Sequence, residues 1–200
     1  MPAKNQDLHG SVPDASPVAL VIIDMINDLE FEGGAKLLRP ALGAARAIAA
    51  LKNKARARGI PVIYANDNFG RWRSDFRQTV AHCLEDDVRG QPLAELLAPD
   101  PEDYFVLKSK HSAFYRTTLE LLLDYLKAKR VVLTGVTGDM CVLLTAADAF
   151  MRDLEIYVPQ DCIASISASE NRKALHYIER VFNADTRISV KLDLAKLKRR

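Results

Sequence analysis

The sequence predicts an α/β fold in which a doubly wound, mostly parallel six-stranded sheet lies between helices, as in a Rossmann-like three-layer sandwich. Apolar runs rich in β-branched residues alternate with longer helical segments, which is the pattern of parallel strands joined by crossover helices. The 200 residues, 48% of them hydrophobic and 27% charged, are enough for one domain with a substantial core. In such a fold, right-handed crossovers place the functional crevice at the carboxyl ends of the strands.

The first part of the chain predicts two strands separated by a long helix. The apolar run Val18–Asp24 predicts the first strand. Pro40 suits the first turn of a helix, and Gly59 would end that helix. Pro61–Asn66 predicts the second strand.

The middle of the chain predicts two short helices, a third strand and a further helix. The helices are expected around Asp75–Glu85 and Leu93–Leu97, and the strand at Asp103–Lys108. Thr117–Glu120 has the sequence of a capping box, so the next helix should begin there and run to about Ala128.

The last part of the chain completes the predicted sheet. Arg130–Val136 predicts the fourth strand and Glu155–Pro159 the fifth. A second capping box, Ser167–Glu170, begins a helix that should reach Phe182, and Thr186–Val190 is the candidate sixth strand.

We expect a single domain over residues 17–190 between two tails. Residues 1–16 contain charges and prolines instead of a signal-peptide core and predict a flexible tail, and residues 191–200 predict a basic, solvated one. The net charge is only +2 and the basic residues are spread along the chain, which does not fit a nucleic-acid binder. No window contains the roughly 18 apolar residues of a spanning helix. We therefore expect a cytoplasmic protein without nucleic-acid or membrane partners, although membrane contact by the basic end stays open.

Cysteine and histidine usage gives no sign of a metal site. The three cysteines, Cys83, Cys141 and Cys162, are an odd number without CxxC spacing, which disfavours both a disulfide framework and a zinc site. The histidines lie far apart in the sequence and form no HExxH pair. We predict no metal and no organic cofactor.

One cysteine follows the fourth strand at a predicted strand–turn–helix junction. Gly138 permits a tight turn, and Asp139 begins a segment of helix formers. Cys141 would then lie in the first helical turn, where unpaired N–H groups and the helix dipole favour a thiolate. The alternative is that Cys141 is a small buried residue that packs the helix against the sheet.

Two charged residues end other strands at the same predicted edge. Asp24 ends the first strand and Lys108 ends the third, so both should lie near Cys141. Burial should raise the pKa of Asp24 and make it a better base toward a thiol, while Lys108 offsets its charge. A cysteine with these neighbours has the parts that covalent catalysis needs. Singly, the aspartate could be a turn residue and the lysine a surface residue.

Three blocks of the sequence occur in the order and spacing of a known family. They are Ala19–Asp28, Val106–Phe114, and Thr134–Cys141 followed by Thr145–Phe150. Together they resemble the isochorismatase-like cysteine hydrolases, a superfamily that includes nicotinamidases, N-carbamoylsarcosine amidohydrolases and isochorismatases. The resemblance covers residues 17 to 185.

The resemblance implies an Asp, Lys, Cys triad at Asp24, Lys108 and Cys141, the residues that strand-end positions also select. Lys110 is a neighbouring alternative, but the family places its lysine six residues before the phenylalanine, which here is Phe114.

A non-proline cis peptide is also implied, between Val136 and Thr137. It would aim backbone N–H groups, those of Thr137 or Gly138 together with that of Cys141, at a developing oxyanion.

The implied reaction is hydrolysis of an amide, carbamoyl or related carbonyl through a thioester. Asp24 would take the thiol proton and later activate water, while Lys108 steadies its charge. Nicotinamidases carry an Asp–His metal cluster after the second strand, whereas Tyr64–Trp72 contains no histidine, so nicotinamide is disfavoured. Members that cleave the vinyl ether of isochorismate commonly lack the cysteine, so Cys141 favours carbonyl chemistry. Ile26 replaces a common glutamine, with an effect that stays open.

We expect loop residues near this edge to form a pocket for a small molecule. The candidates are Asn66, Asn68, Phe69, Trp72, Phe114 and Tyr115. Ordinary packing or a subunit interface is the alternative for Trp72 and Phe114, and His111 is a further residue that could contact substrate. The resemblance also implies a homo-oligomer, a dimer or larger.

Three other functions stay open. The chain could be a catalytically idle binding protein, because a fold does not fix a function. A nucleotide-binding protein would share the layout, but neither GxGxxG after the first strand nor GxxxxGK[ST] is present. Cys141 could also serve as a redox sensor.

Overall fold

The computed structural model describes residues 15–70 and 75–199, and it contains one six-stranded sheet in which all pairings are parallel. The predicted fold class is confirmed. The strands are β1 (Val18–Ile23), β2 (Val62–Asp67), β3 (Tyr104–Lys108), β4 (Arg130–Val136), β5 (Glu155–Tyr157) and β6 (Ile163–Ala164).

Helices cover both faces of this sheet. In the described ranges they are α1 (Gly34–Arg56), α2 (Phe76–Glu85), α3 (Gln91–Leu96), α4 (Leu119–Tyr125), α5 (Leu143–Phe150), α6 (Ala168–Phe182) and α7 (Leu194–Arg199). The cap predicted at Ser167 is confirmed, since its side chain accepts from the N–H of Glu170, and α2 has a side-chain cap as well, because Asp75 accepts from the N–H of Gln78. The box predicted at Thr117 is not formed, because its hydroxyl accepts from the N–H of Leu119 and α4 begins only at Leu119, with Thr118 as its N-cap.

The strand order β3-β2-β1-β4-β5 creates a switch point between β1 and β4. The chain moves outward from β1 to β3 and then returns to the other side of β1. A crevice therefore forms where β1 and β4 end side by side, with Ile23 opposite Gly135. A Cβ on Gly135 would lie 2.0 Å from the Ile23 carbonyl oxygen, and its φ is +112°, so this close approach requires glycine.

Two apolar layers hold the helices to the sheet. The β1 residues Leu20 and Ile22 pack in one core with α1, whereas Val21 and Ile23 pack in a second core with α4, α5 and α6. A strand that is buried on both faces is typical of the middle of a parallel sheet. The crevice at its end is thus built on the buried centre of the sheet.

The long helix begins six residues before the position that the sequence predicts. α1 starts at Gly34, and Pro40 lies inside it. Leu37, before the proline, is fully buried in the core, so its burial favours helix even though Pro40 cannot donate its backbone hydrogen bond.

The sixth strand is not the predicted Thr186–Val190. Ser189 begins a 3₁₀ turn, and both its N–H and its hydroxyl donate to the carboxylate of Asp161, at 2.7 Å each. These bonds fix Ser189 in the turn, and within the described residues only an isolated bridge between Asp185 and Tyr157 joins the preceding residues to the sheet edge. The sixth strand is instead Ile163–Ala164, which pairs with the end of β4.

The predicted basic tail at 191–200 is largely a packed segment. Leu194 and Leu197 of α7 are buried in the α1-side core, and Arg130 donates to the Leu197 carbonyl oxygen at 3.2 Å. Hydrophobic spacing along the helix therefore outweighs its basic composition. The predicted N-terminal tail lies almost wholly outside the described residues. Within the described ranges, no helix combines the length and apolar character needed to cross a membrane.

Candidate active site

Asp24 lies directly after β1, and its carboxylate is almost completely buried. Its φ of 53° turns the chain sharply out of the strand. Oδ1 accepts from the Asp67 N–H at 2.7 Å, and Oδ2 lies 2.8 Å from Lys108 Nζ. Burial raises the pKa of Asp24 in spite of the opposing charge of Lys108. This carboxylate is therefore a better proton acceptor than an exposed one.

Lys108 is the last residue of β3, and its side chain is completely buried. Nζ contacts Asp24, donates to the Lys110 carbonyl oxygen at 3.2 Å, and lies 3.6 Å from Asp67 Oδ2. Burial disfavours the ammonium, but the carboxylate of Asp24, assisted by that of Asp67, outweighs burial and raises the pKa of Lys108. The lysine remains a cation between its partners.

Cys141 lies in a π-helical turn, Gly138–Val142, that leads into α5. The sequence predicts an ordinary first helical turn, but the N–H of Val142 reaches back to the Thr137 carbonyl oxygen at 3.1 Å and widens the turn. Cys141 Sγ lies 3.7 Å from Lys108 Nζ and 3.8 Å from His111 Nδ1. Asp24, Lys108 and Cys141 are thus brought together, as their strand-end positions predict.

The resting thiol differs from the predicted thiolate. Burial, followed by the charge of Asp24, raises the pKa of Cys141 to about 12. These two effects exceed the stabilisation that Lys108 and the turn provide. The nucleophile is therefore a protonated thiol until a base removes its proton, which also disfavours a redox sensor that depends on a low-pKa thiol.

The loop before Cys141 contains a cis peptide between Val136 and Thr137, at the position that the family resemblance implies. The Asp139 N–H donates to Ser165 Oγ at 3.1 Å, and Ser165 donates to Asn171 Oδ1 at 2.8 Å. The Asp139 N–H is thus already engaged. The donors predicted at Thr137 or Gly138, together with Cys141, stay a prediction.

Of the predicted substrate residues, Asn66 is part of the scaffold. Its side chain is fully buried, accepts from the Ile26 N–H at 3.2 Å and donates to the Ile26 carbonyl oxygen at 2.8 Å. It fixes the loop after β1 and does not face a pocket. Asn68 and Phe69 do lie at the edge of the crevice, since the Asn68 N–H donates to the Lys108 carbonyl oxygen at 2.9 Å and the Phe69 N–H donates to Asp67 Oδ1 at 2.7 Å.

Phe114 is also a core residue. It is only 3% exposed, packs with α4 and α5, and lies beneath Arg152, whose guanidinium carbon is 4.8 Å from the ring centroid. Tyr115, in contrast, is 50% exposed. It lines a groove of about 360 Å³ together with His111, Leu144 and Met151. Trp72 lies outside the described residues.

Two residues lie nearer the nucleophile than the sequence predicts, since Asp67 is absent from the predicted site and His111 is predicted only as a residue that could contact substrate. Asp67 holds Asp24 through its N–H and faces Lys108 with its carboxylate. It ends β2, so the strand-end rule that selects Asp24 and Lys108 also selects Asp67. His111 contacts Cys141, and only its closeness to Lys108 in the sequence could have indicated this.

The loop after β3 is anchored to the helix that follows Cys141. Ser112 Oγ donates to the Asp148 carboxylate, and the Ala113 N–H donates to Thr145 Oγ1 at 3.0 Å. Asp148 also lies 3.4 Å from Arg152 Nη1. Asp148 therefore supports the loop. Over residues 15–70 and 75–199, no group of three or more His, Cys, Asp or Glu side chains is arranged to hold a metal ion.

A buried carboxylate, an ammonium and a thiol at the switch point of a parallel sheet are the features of a hydrolase site. Residues 18–188 match the family model described as the isochorismatase domain, and the chain therefore belongs to the isochorismatase family of hydrolases.

Among its relatives, the uncharacterized isochorismatase family protein YaaI of Bacillus subtilis is 41% identical over 167 residues, which cover 84% of this chain and 91% of that protein. The isochorismatase of Bacillus subtilis is 30% identical over 172 residues, covering 83% of this chain but 54% of its own length. The chain thus spans about half of that second relative. The crystal structure of N-carbamoylsarcosine amidase from Thermoplasma acidophilum has a TM-score of 0.66 and 27% identity, covering 88% of this chain and 98% of that one.

Proposed function

We propose that this hydrolase cleaves a C–N bond of a small-molecule amide, carbamoyl compound or related substrate through a thioester on Cys141. The contact that carries the proposal is that of Lys108 Nζ, 2.8 Å from Asp24 Oδ2 and 3.7 Å from Cys141 Sγ. This contact unites a base, a fixed positive charge and a nucleophile, the three groups that acyl transfer requires. The similarity to N-carbamoylsarcosine amidase supports a C–N bond as the target.

The reaction begins with proton transfer from Cys141 to Asp24. Burial makes this step accessible, because it raises the pKa of Asp24 and so increases its affinity for the proton. The sulfur then adds to the carbonyl carbon, and backbone N–H groups of the turn, that of Thr137 or Gly138 together with that of Cys141, bind the oxyanion. Collapse breaks the C–N bond, and Asp24 returns the proton to the departing nitrogen.

Lys108 keeps the charge balance of this cycle. When Asp24 is ionised, the ammonium 2.8 Å away compensates a carboxylate that has little contact with solvent. When Asp24 holds the proton, the same ammonium lies beside the new thiolate. The fixed ammonium thus stabilises the negative charge both when it is on Asp24 and when it is on Cys141.

The substrate is a small molecule that reaches the sulfur from the open edge of the sheet. Asn68, Phe69 and Tyr115 are the predicted pocket residues whose positions at this edge support such binding. We also propose a cytoplasmic homo-oligomer. The exposed apolar side chains of Leu144 on α5 and of Met151 directly after it support contact between subunits.

The alternative is hydrolysis of a vinyl ether, as the name of the Bacillus subtilis isochorismatase relative indicates for that protein. In that reaction Asp24 would protonate the substrate and Cys141 would form no covalent bond.

The test is a screen of primary amides, carbamoyl compounds and ureides for ammonia release, with isochorismate assayed in parallel. Cys141→Ala is the blank and Cys162→Ala the matched control, because Cys162 is a buried cysteine outside the site. We expect ammonia release that Cys141→Ala abolishes and Cys162→Ala retains. Activity that survives in Cys141→Ala would indicate vinyl ether chemistry. A folded protein without any turnover would favour the idle binding protein.

A further inference from the structure

The ammonium of Lys108 has a third N–H group that two different residues can accept. Of its three N–H groups, one faces Asp24 Oδ2 at 2.8 Å and one donates to the Lys110 carbonyl oxygen at 3.2 Å. The third has two neighbours at nearly equal distances from Nζ, Asp67 Oδ2 at 3.6 Å and Cys141 Sγ at 3.7 Å. The acylation steps above use the sulfur and leave the carboxylate of Asp67 without a role.

The carboxylate of Asp67 is held in place by its own turn at the end of β2. The Asp67 N–H donates to Asp24 Oδ1, and Asp67 Oδ1 accepts from the Phe69 N–H, at 2.7 Å each. These bonds leave Oδ2 to face Lys108. The side chain of Asp67 is 34% exposed, whereas those of Asp24 and Lys108 are 8% and 0% exposed. Water can therefore solvate the charge of Asp67, while burial disfavours the charge of Asp24.

The proposed reaction passes through a state in which two neighbours of Lys108 carry no charge. In the tetrahedral intermediate Asp24 holds the proton of the thiol, and an electron pair of the Cys141 sulfur has become the C–S bond. The negative charge is then on the former carbonyl oxygen, which the backbone N–H groups bind. The same charges recur when Asp24 takes a proton from water and the oxygen adds to the thioester. In both intermediates Asp67 is a carboxylate that still faces the ammonium.

We infer that Asp67 is a positioning residue of this site, an inference that rests on the proposed function: its carboxylate binds the third N–H of Lys108 while Asp24 is protonated and Cys141 is bonded to the substrate. Asp67 acts through Lys108 and not on the substrate. Burial lowers the pKa of Lys108, and the charges of Asp24 and Asp67 raise it. Since the charge of Asp67 persists when Asp24 is protonated, Lys108 stays an ammonium and is in place when the proton leaves Asp24 again.

Two substitutions separate the charge of Asp67 from its turn. Asp67→Asn keeps an oxygen for the Phe69 N–H and the backbone N–H that binds Asp24, but it removes the charge. Asp67→Glu keeps the charge on a longer side chain that no longer fits the turn. If the charge matters, the glutamate variant is the more active of the two. If only the turn matters, the asparagine variant is the more active.

Asp185→Asn is the matched control. Asp185 Oδ1 accepts from the Arg187 N–H at 3.1 Å, in the same kind of turn as that of Asp67. Asp185 lies beside Tyr157 of β5, which pairs with Val132 in the first half of β4 and not with the end at the crevice. The control therefore makes the same chemical change at a turn outside the site.

The probe is p-nitrophenyl acetate. Release of p-nitrophenolate in the first turnover reports acylation, and the steady-state rate reports hydrolysis of the acetyl thioester. Because the two intermediates place the same charges around Lys108, Asp67→Asn should slow both phases by a similar factor. We expect about tenfold, since hydrogen bonds to charged groups commonly contribute energies of that size, with KM changed less than about threefold. Asp67→Glu should regain rates within about threefold of the wild-type enzyme, and Asp185→Asn should match it.

Three results would overturn the inference: wild-type rates in Asp67→Asn, an Asp67→Glu enzyme that is no faster than Asp67→Asn, or a raised KM with unchanged kcat. Urea denaturation checks the fold, and an Asp67→Asn protein that does not fold would also overturn it, because the role of Asp67 would then be structural. Failure of the proposed function has a different signature, since phenolate release would persist in Cys141→Ala or be absent from the wild-type enzyme, and both proposals would then fall. If Cys141→Ala abolishes release but Asp67→Asn does not slow it, only the role of Asp67 is wrong.

Discussion

Lys108 Nζ lies 2.8 Å from Asp24 Oδ2, and this ion pair joins the ends of β1 and β3 across the intervening end of β2. Both side chains are buried, so each charge depends on the other for compensation. Breaking a buried pair by removing one partner commonly lowers stability by about 3–5 kcal/mol. The pair therefore supports both the reaction and the stability of the crevice.

Lys108→Met should abolish measurable hydrolysis and lower the free energy of unfolding by about 3–5 kcal/mol at pH 8. The pKa of Asp24 is higher in the folded protein than in the unfolded chain, where it is about 3.9. The stability that Asp24 contributes is therefore present below the unfolded pKa and is lost as pH rises through the folded pKa. Removing the Lys108 ammonium raises the folded pKa of Asp24 further. The loss in the free energy of unfolding of Lys108→Met should therefore be smaller at pH 5 than at pH 8.

Urea denaturation at pH 5 and pH 8 measures this effect, with Lys110→Met as the control. Lys110 is exposed, so its replacement should change the free energy of unfolding by less than about 0.5 kcal/mol. Equal destabilisation by the two substitutions would contradict the importance of the buried pair.

Iodoacetamide should label Cys141 before Cys83 and Cys162, because the latter two are completely buried. The pKa of Cys141, about 12, also sets the pH dependence of the reaction. Since the thiolate is the reactive form, the labelling rate should rise about tenfold per pH unit between pH 7 and pH 9.

Peptide mass spectrometry over a time course gives the rate for each cysteine. A labelling rate that is already constant above pH 7 would show a resting thiolate. Equal labelling of the three cysteines would contradict the accessible position of Cys141.

Gly138→Ala should disturb the turn that carries the nucleophile. A Cβ at this position would lie 2.2 Å from Asn171 Oδ1, closer than two such atoms can approach. We expect a loss of about 1–3 kcal/mol in the free energy of unfolding, as for other overpacked sites, and a fall of about 100-fold in kcat if the backbone donors move.

The double variant Gly138→Ala/Asn171→Ala removes the colliding amide. It should regain part of the stability that Gly138→Ala loses, which a double-mutant cycle of urea denaturation would detect as a favourable coupling. Additive effects of the two substitutions would show that the side chain of Asn171 is not what restricts residue 138.

The catalytic candidates could be predicted from the sequence because they depend on topology. Asp24, Lys108 and Cys141 each end or follow a parallel strand, and the strand order brings those ends together. Asn66 shows the limit of this reasoning. Its neighbour Ala65 packs in the core on the α4 side, while Asn66 points to the opposite face, beneath the loop at Ile26. A position at the end of a strand predicts that a residue lies at the functional edge of the sheet. It does not predict which of two successive side chains faces the site.

The wrong boundaries have a similar cause. Pro40 predicts a helix start by local preference, but the burial of Leu37 extends α1 beyond it. Thr186–Val190 has strand composition, but the carboxylate of Asp161 binds Ser189. The thiolate expected at Cys141 follows from the helix start alone, whereas burial and Asp24 determine its pKa. In each case a distant contact outweighs a local signal.

Phe114 and Tyr115 are adjacent, but their substitution should have different consequences. Phe114→Ala removes a core ring that packs with α4 and α5, so we expect the free energy of unfolding to fall by about 3–5 kcal/mol. Tyr115→Ala alters an exposed residue that lines the groove beside His111. It should leave stability within about 1 kcal/mol and raise the KM of the amide found in the screen about tenfold, which corresponds to about 1.4 kcal/mol of lost binding.

Urea denaturation and steady-state kinetics of both variants measure these effects. A raised KM in a stable Phe114→Ala enzyme would show that Phe114 contributes to the substrate pocket. An unchanged KM in Tyr115→Ala would show that Tyr115 does not.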